Sequence, residues 1–454
     1  MNSDSLFALH REWEVLPLGE ACRLGGGNVQ TGPFGSQLHA ADYVPEGIPS
    51  VMPQNIGDNK ILASGIARIT HADAERLSRY RLQEGDIVYS RRGNVERRAL
   101  VRSNEDGWLC GTGCLRIRFG DGIVYPKYAA HYLGHPSVRE WVVRHAHGAT
   151  MPNLNTTILS ELPFVLPPWN IQTWIGDVIE AYDKRIDINC RINQTLETMA
   201  QAIFKSWFVD FDPVKAKLAA IREGRDSLRA AMSAISGKSD TQLETLSSEQ
   251  YEQLAATAVL FPDEMVESAW GEIPRGWGRQ RVGNVLELAY GKALKSTERK
   301  SGTVPVYGSG GITGYHNTPL IQHGSIIVGR KGTVGSLYWE DEPFFPIDTT
   351  YFVRPVAAPL TFCYYALQTL GLEKMNTDAA VPGLNRENVY RLEVLLPDSV
   401  TLQKFDQLVL ALRKAIRANV DSNKALANLR DTLLPKLLSG ELSTEALSKP
   451  VGAT

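Results

Sequence analysis

The chain has 454 residues, 43% of them hydrophobic and 22% charged, values of an ordinary globular protein that exclude wholesale disorder or collagen-like repetition. Lys and Arg total 48 against 50 Asp and Glu, a formal charge of -2, so the chain is no histone-like polycation and any nucleic-acid surface must be local. Five scattered cysteines make no disulfide framework, no apolar run approaches the ~18 residues of a membrane span, and the opening residues carry no secretory pattern. A cytoplasmic, multidomain protein is expected.

In chain order, Ile87-Val88-Tyr89 and Leu115 to Phe119 are short β-rich runs, and Tyr128–Leu133 is helix-compatible. After Pro167-Pro168, a stripe of Ile171, Ile175, Val178, Tyr182, Ile186, Ile192, Leu196, Met199 and Ile203 predicts a long amphipathic helix. The stretch from Pro213 to about Trp270, with SGKSDTQLETLSSEQ, reads as a polar helical run followed by a solvated linker. Ile326-Ile327-Val328 and Tyr351-Phe352-Val353 are again β-rich, and Phe362–Leu370 is helix-compatible. Phe405, Leu408, Leu412, Ile416, Leu426, Leu429 and Leu433 predict a second long helix, with Pro435 and Gly440 marking its end.

These elements repeat. Pro152, Leu154, Asn155, Leu162 and Pro167 match Pro382, Leu384, Asn385, Leu392 and Pro397, each pair 230 residues apart, and the offset continues through Ile186/Ile416, Asn189/Asn419, Asn193/Asn423 and Leu196/Leu426. Upstream, Gly85-Asp86-Ile87-Val88 with Arg91 and Gly93 resembles Gly324-Ser325-Ile326-Ile327 with Arg330 and Gly332, at an offset of 239. Trp13 and Gly19 resemble Trp277 and Gly283. Each half is thus a mixed α/β portion followed by a helix of thirty-odd residues, a rod of roughly 50 Å. Two matched helices favour an intramolecular coiled-coil-like pair over each lying on its own domain alone, with the asparagines near the stripe fixing register.

No catalytic constellation is present. The phosphate-loop pattern is absent, and Gly308 to Gly314 has Thr313 where a dinucleotide fingerprint needs glycine, so it reads as a tight turn. No adenine-methylation or nuclease motif appears. Cys110 and Cys114 with His145 and His147 are too loosely spaced for zinc and read as core thiols and surface histidines; Asp86 reads as a strand-end ion pair with Arg91 and Arg92. Neither a catalytic nor a metal site is expected. From Arg81 to Arg102 six cations face three acids, and from Trp277 to Lys331 eight face two, a local +3 and +6 at comparable places of the two halves. Arginine offers a planar fork to guanine edges or phosphate, so both patches are candidate DNA surfaces.

The sequence also resembles the specificity subunits of type I restriction-modification systems. The resemblance is carried by Trp13-Glu14-Val15-Leu16-Pro17-Leu18-Gly19, Pro274-Arg275-Gly276-Trp277, Arg191-Ile192-Asn193-Gln194-Thr195-Leu196-Glu197, Phe204-Lys205-Ser206-Trp207-Phe208-Val209-Asp210-Phe211-Asp212-Pro213-Val214, and Leu433 through Leu442. It implies two tandem α/β target recognition domains (residues 1–168 and 274–398), each reading half of a split site in double-stranded DNA. Helical regions 169–235 and 399–442, a linker at 236–273 and a tail at 443–454 would complete the chain, with the long helices packed antiparallel as a spacer and the halves related by a pseudo-twofold. Two methyltransferase subunits and restriction/translocase subunits would be the partners, holding S-adenosylmethionine, ATP and Mg, with no cofactor in this chain and no membrane contact. The expected DNA residues are Arg91, Arg92, Arg97 and Arg98 in the first half and Lys292, Lys295, His316, Asn317, Arg330 and Lys331 in the second. The expected spacer and partner-interface residues are Ile175, Tyr182, Ile186, Asn193, Leu196, Phe204, Trp207, Phe405, Leu412, Ile416, Asn423, Leu426 and Leu433. The alternative is a stand-alone duplicated DNA-binding or scaffold protein without enzyme partners.

Overall fold

The computed structural model describes residues 5–148, 152–268, 271–376 and 383–442. Ala149, Ala379 and Pro382 of the repeat, and the tail from residue 443, lie outside them. The chain divides into two compact units, one of residues up to Ile188 with those from Ser422 onward, the other Asn189–Asp421. Each unit therefore contains one α/β portion, the start of one long helix and the end of the other.

The first unit holds a four-stranded antiparallel sheet in the order Gly26–Thr31, Cys114–Gly120, Ile87–Ser90, Arg98–Leu100. The second unit repeats that order with Leu286–Tyr290, Thr350–Pro355, Ser325–Gly329 and Leu337–Glu340. In both, the continuous apolar run is a strand buried on both faces. Alternate side chains serve different cores: Ile87 and Tyr89 join the main core of the first unit and Val88 a second one, as Ile326 and Val328 do opposite Ile327. Around this frame, Glu14–Pro17 pairs with Pro163–Leu166, and Gly278–Arg281 with Glu393–Leu396. The repeated glycines near the start of each copy have a steric reason. A Cβ on Gly19 would lie 2.7 Å from Ser160 Cβ, and one on Gly283 would lie 3.1 Å from Tyr390 Cβ.

Each long helix, Trp169–Phe208 and Ser399–Leu438, has 40 residues, about 60 Å at 1.5 Å per residue and so longer than the stripe suggested. They run antiparallel. Asp183 pairs with Arg430 at 2.6 Å in the first unit; Glu197 pairs with Arg413 at 2.9 Å and Asn193 accepts from Asn419 at 2.8 Å in the second. Along the first helix one row of buried or half-buried positions runs through Ile175, Ile179, Tyr182, Ile186, Asn189, Asn193, Leu196, Ala200, Phe204 and Trp207, at intervals of four and three, the spacing of a coiled-coil seam. Ile192 and Met199, part of the expected stripe, are instead 42% and 47% exposed, because the seam takes Asn189 and Asn193 around the first and Ala200 beside the second.

Three further expectations change. The second helix runs through Pro435 to Leu438, since Leu437 and Leu438 are buried in the core of the first unit; Gly440, at φ +74°, then turns the chain. The supposed linker is folded: helices Asp240–Leu243 and Ser248–Val259 pack with Asp212–Arg222 and Ser227–Ser236 of the expected helical run, around a small core of Ala231, Met232, Leu243 and Ala258. Ser239 with Gln242 and Ser247 with Gln250 form capping boxes at two of their starts. Finally, Ile175, Phe204, Trp207 and Phe405 are fully buried in their own units, so they serve the chain's own packing and offer nothing to a partner. Tyr182, Ile186, Leu412, Ile416, Asn423, Leu426 and Leu433 are half-buried along the helices. No described helix is long and apolar enough to cross a membrane.

Candidate nucleic-acid interface

The cationic loops of the two copies are built alike. Ile87–Ser90 leads into Arg91-Arg92-Gly93, where Gly93 takes φ +74°; Ser325–Gly329 leads into Arg330-Lys331-Gly332, where Gly332 takes φ +85°. Only glycine adopts that turn without strain, which explains the repeated Arg-x-Gly. The amide of Leu154 donates to Arg91 O at 2.8 Å, and that of Leu384 donates to Arg330 O at 2.8 Å. One residue on, Asn155 caps helix Thr156–Glu161 by accepting from Ile158 N, and Asn385 caps Arg386–Tyr390 by accepting from Glu387 N. The motif pairs found in sequence at offsets of 239 and 230 are thus the two sides of one repeated joint.

In the first copy Arg92 and Arg97 are exposed and Arg91 is half-buried. Arg91 Nε, Thr112 Oγ1 and Asn153 Oδ1, all next to this joint, are buried with no hydrogen-bond partner among the described residues. Buried polar atoms are costly unless partnered, so the loop has unmet donors and acceptors at its base. Arg98 does not belong to this surface. It is 5% exposed, with Nε donating to Ala130 O and Nη1 to Asp58, both at 2.8 Å. Asp86 does form an ion pair, but with Arg118 at 2.6 Å, directly across the sheet, and not with Arg91 or Arg92. Burial pushes the Cys110 thiol up to about 12, while His145 stacks on Trp141 at 3.9 Å; His147 is exposed.

In the second copy the expected residues form two groups. Lys292 and the Arg330 loop converge on Pro346 to Thr350: the amide of Lys292 donates to Pro346 O, and those of Arg330 and Lys331 to Thr349 O. Lys295, His316 and Asn317 lie by the other end of hairpin Val304–His316, where His316 Nδ1 accepts from Lys300 N at 3.0 Å. Two residues not picked from sequence join the Arg330 group. Arg330 and Arg386 both lie over the Tyr290 ring, at 4.9 and 4.8 Å from its centre. Spacing gave no hint of them, because the ring and the two cations come from strand, loop and helix some forty to sixty residues apart.

The model of the type I restriction modification DNA specificity domain matches residues 10–198 and 274–421, both copies. The chain belongs to this family of type I specificity subunits. The HindI specificity subunit of Haemophilus influenzae is 31% identical over 87% of this chain and 95% of its own. The MjaIX specificity subunit of Methanocaldococcus jannaschii is 22% identical over 96% and 95%. A solved S subunit of a type I system from M. genitalium shares the fold, with a TM-score of 0.53, 18% identity and coverage of 95% of this chain and 98% of that one. Membership decides between the two readings left by sequence: this is a non-catalytic DNA specificity subunit and not a stand-alone scaffold. Residues 199–273, which include the helical insertion, fall outside the matched segments.

The first unit of this specificity subunit also has a charged cavity of about 490 Å³, lined among others by Asp58, Asn59, Arg98, His131, Asp183 and Arg430. Among the described residues, His131, Glu180 and Asp183 form the grouping of possible ligands within reach of one cation, their atoms all within 4.8 Å. Both carboxylates are already engaged, Glu180 by Arg102 and Asp183 by Arg430, so the charge a cation needs is neutralised in advance. Burial, followed by the neighbouring Arg98, pushes the His131 imidazole down to about 3. Its unfolded value is ~6.5, so below that pH the unfolded chain takes up a proton that the folded chain refuses. The stability owed to the neutral ring is complete above pH ~6.5 and is lost as pH falls toward 3. Between pH 7 and 5 the first unit should lose about 2 kcal/mol through this ring. Thermal melts of the parent and His131→Gln across that range check this, the variant showing the shallower decline.

Proposed function

We propose that this specificity subunit reads its bipartite DNA site through two recognition domains, residues 1–168 and 274–398, each using the surface around its Arg-x-Gly loop. The repeated joint carries the reading: the same strand, left-handed glycine and capped helix hold outward-facing cations in both copies. The unmet polar atoms beside Arg91 suit a surface completed by an outside polar partner. In the first half Arg91, Arg92 and Arg97 contact DNA, Arg98 being withdrawn into the fold; in the second, Lys292, Arg330 and Lys331 form one contact group and Lys295, His316 and Asn317 another. Two methyltransferase subunits dock on the helical regions and restriction/translocase subunits join them, so that S-adenosylmethionine, ATP and Mg are bound by those partners in the cytoplasm. Their activities, adenine methylation or restriction, act at the site this chain selects.

The double variant R91A/R92A tests the modular reading. Adenine methylation mapped across the host genome should show one half of the split motif degenerate or lost and the other intact. Each phosphate contact removed should lower the slope of log affinity against log salt by about 1. Altered preference at the half-site that also responds to R330A/K331A would overturn the assignment.

A further inference from the structure

The two copies share a frame but mount different side chains on it. In the first sheet Thr31 lies opposite Leu115, which lies opposite Tyr89. In the second, Tyr290 lies opposite Tyr351, which lies opposite Val328. Tyr89 and Val328 are equivalent at the offset of 239, so Thr31 holds the place of Tyr290. Likewise Thr156 follows capping Asn155 where Arg386 follows capping Asn385. The group of Tyr290, Arg330 and Arg386 therefore belongs to the second copy alone, built at the repeated joint proposed to face DNA. A pair of domains reading different half-sites must differ at such positions.

The geometry distinguishes the two arginines. Arg330 is tied down: Nη1 donates to Asp348 O at 3.0 Å, and the guanidinium also lies 5.8 Å from the centre of Tyr351. Tyr351 is fixed in turn, its hydroxyl donating to Leu384 O at 2.9 Å. Arg386 rests on Tyr290 and, at 6.0 Å, on Tyr390, while its ion pair is with exposed Glu387 at 3.4 Å, a contact easily given up. Tyr290 itself is 48% exposed. An aromatic platform removes rotamer freedom from a guanidinium before it meets its target, and the planar fork matches the O6 and N7 of guanine. Two cations on one ring also raise the local positive potential that a duplex relieves.

We infer that Arg386, oriented on Tyr290, is a base-reading residue of the second half-site and takes a guanine through its major-groove edge. Arg330, held by Asp348 O on the same ring, keeps the DNA-contact role proposed above and is not the base reader. The inference rests on the reading of the recognition domains above, and its test separates the two. The full chain, purified with its methyltransferase subunits, selects from a pool of random DNA duplexes, and the bound fraction is sequenced for the parent, R386A, R386Q, Y290F and R91A/R92A.

The parent motif should require guanine at one position of one half-site, by about tenfold to a hundredfold over the other bases. R386A and R386Q should lose that requirement, Y290F should keep it, and the other half-site should be unchanged in all three. An unchanged motif in R386A and R386Q, whether or not affinity falls evenly across sequences, would overturn the inference, as would relaxation at a base other than guanine. The intact first half-site in each variant reports that the protein is folded. If R91A/R92A alters one half-site while the Arg386 variants alter nothing, the recognition-domain reading stands and the inference fails. If no variant alters the motif, both fail.

Discussion

Replacing Trp207 by alanine is expected to destabilise the second unit by about 3–5 kcal/mol, the range for deleting a large buried aromatic. Its side chain is 1% exposed. It meets Phe261 edge-on at 4.9 Å and Phe405 at 6.1 Å, and shares their core with Phe208, Trp277 and Phe362. Those residues come from both long helices, from the segment after the helical insertion and from the second recognition domain. One cavity would therefore loosen four elements, with little scope for local collapse. Amide exchange should quicken across residues 189–421, while the sheet of the first unit keeps its protection. A loss below about 1 kcal/mol would mean that the helix end does not organise this core. The same packing explains why Ser-Trp-Phe-Val-Asp-Phe-Asp-Pro-Val is so recognisable a run. Trp207 and Phe208 are buried, Phe211 takes the left-handed φ of +58° between the two helices, and Pro213 sits in the first turn of the next helix.

The features legible in sequence were those fixed by local rules repeated twice. Gly93 and Gly332 mark left-handed turns, Asn155 and Asn385 mark helix starts, and Gly19 and Gly283 mark close approaches; each has a chemical requirement that survives divergence of its neighbours. The first half of the helical insertion is legible as a polar helical run, but from Asp240 its core is only a few side chains wide and its surface polar, so its composition resembles a linker. Its two Ser-x-x-Gln capping boxes were nonetheless visible in SGKSDTQLETLSSEQ. Along the first long helix hydropathy alone gives Ile192 and Met199 places in the seam, where the structure has Asn189, Asn193 and the small Ala200. Tyr290 with Arg386, and Arg98 with Asp58, were not legible for another reason: each partner lies tens of residues away, and no periodicity connects them.

Arg98 shows how far that matters, because it adjoins Arg97 and the pair should respond oppositely to mutation. Arg98 begins the edge strand Arg98–Leu100, whose three residues are all buried. Its guanidinium meets the exposed carboxylate of Asp58 on one side and the carbonyl of Ala130 on the other, and it lines the cavity beside His131. Arg98→Ala removes both bonds and opens space in the first unit, an expected loss of about 2–4 kcal/mol. Asp58→Ala takes away a carboxylate that is itself exposed, so water replaces part of the contact and the loss should be smaller, about 1 kcal/mol. Neither change removes a charge from the loop proposed to face DNA, so the salt slope of DNA binding, measured below the lowered melting point, should equal that of the parent. Arg97→Ala should do the reverse. Its side chain is exposed, so stability should stay within about 0.5 kcal/mol, while the salt slope falls by about 1 if it contacts a phosphate. A stable Arg98→Ala protein with a flattened salt dependence would contradict the burial of this residue. It would also return Arg98 to the interface where its place in the sequence first suggested it belonged.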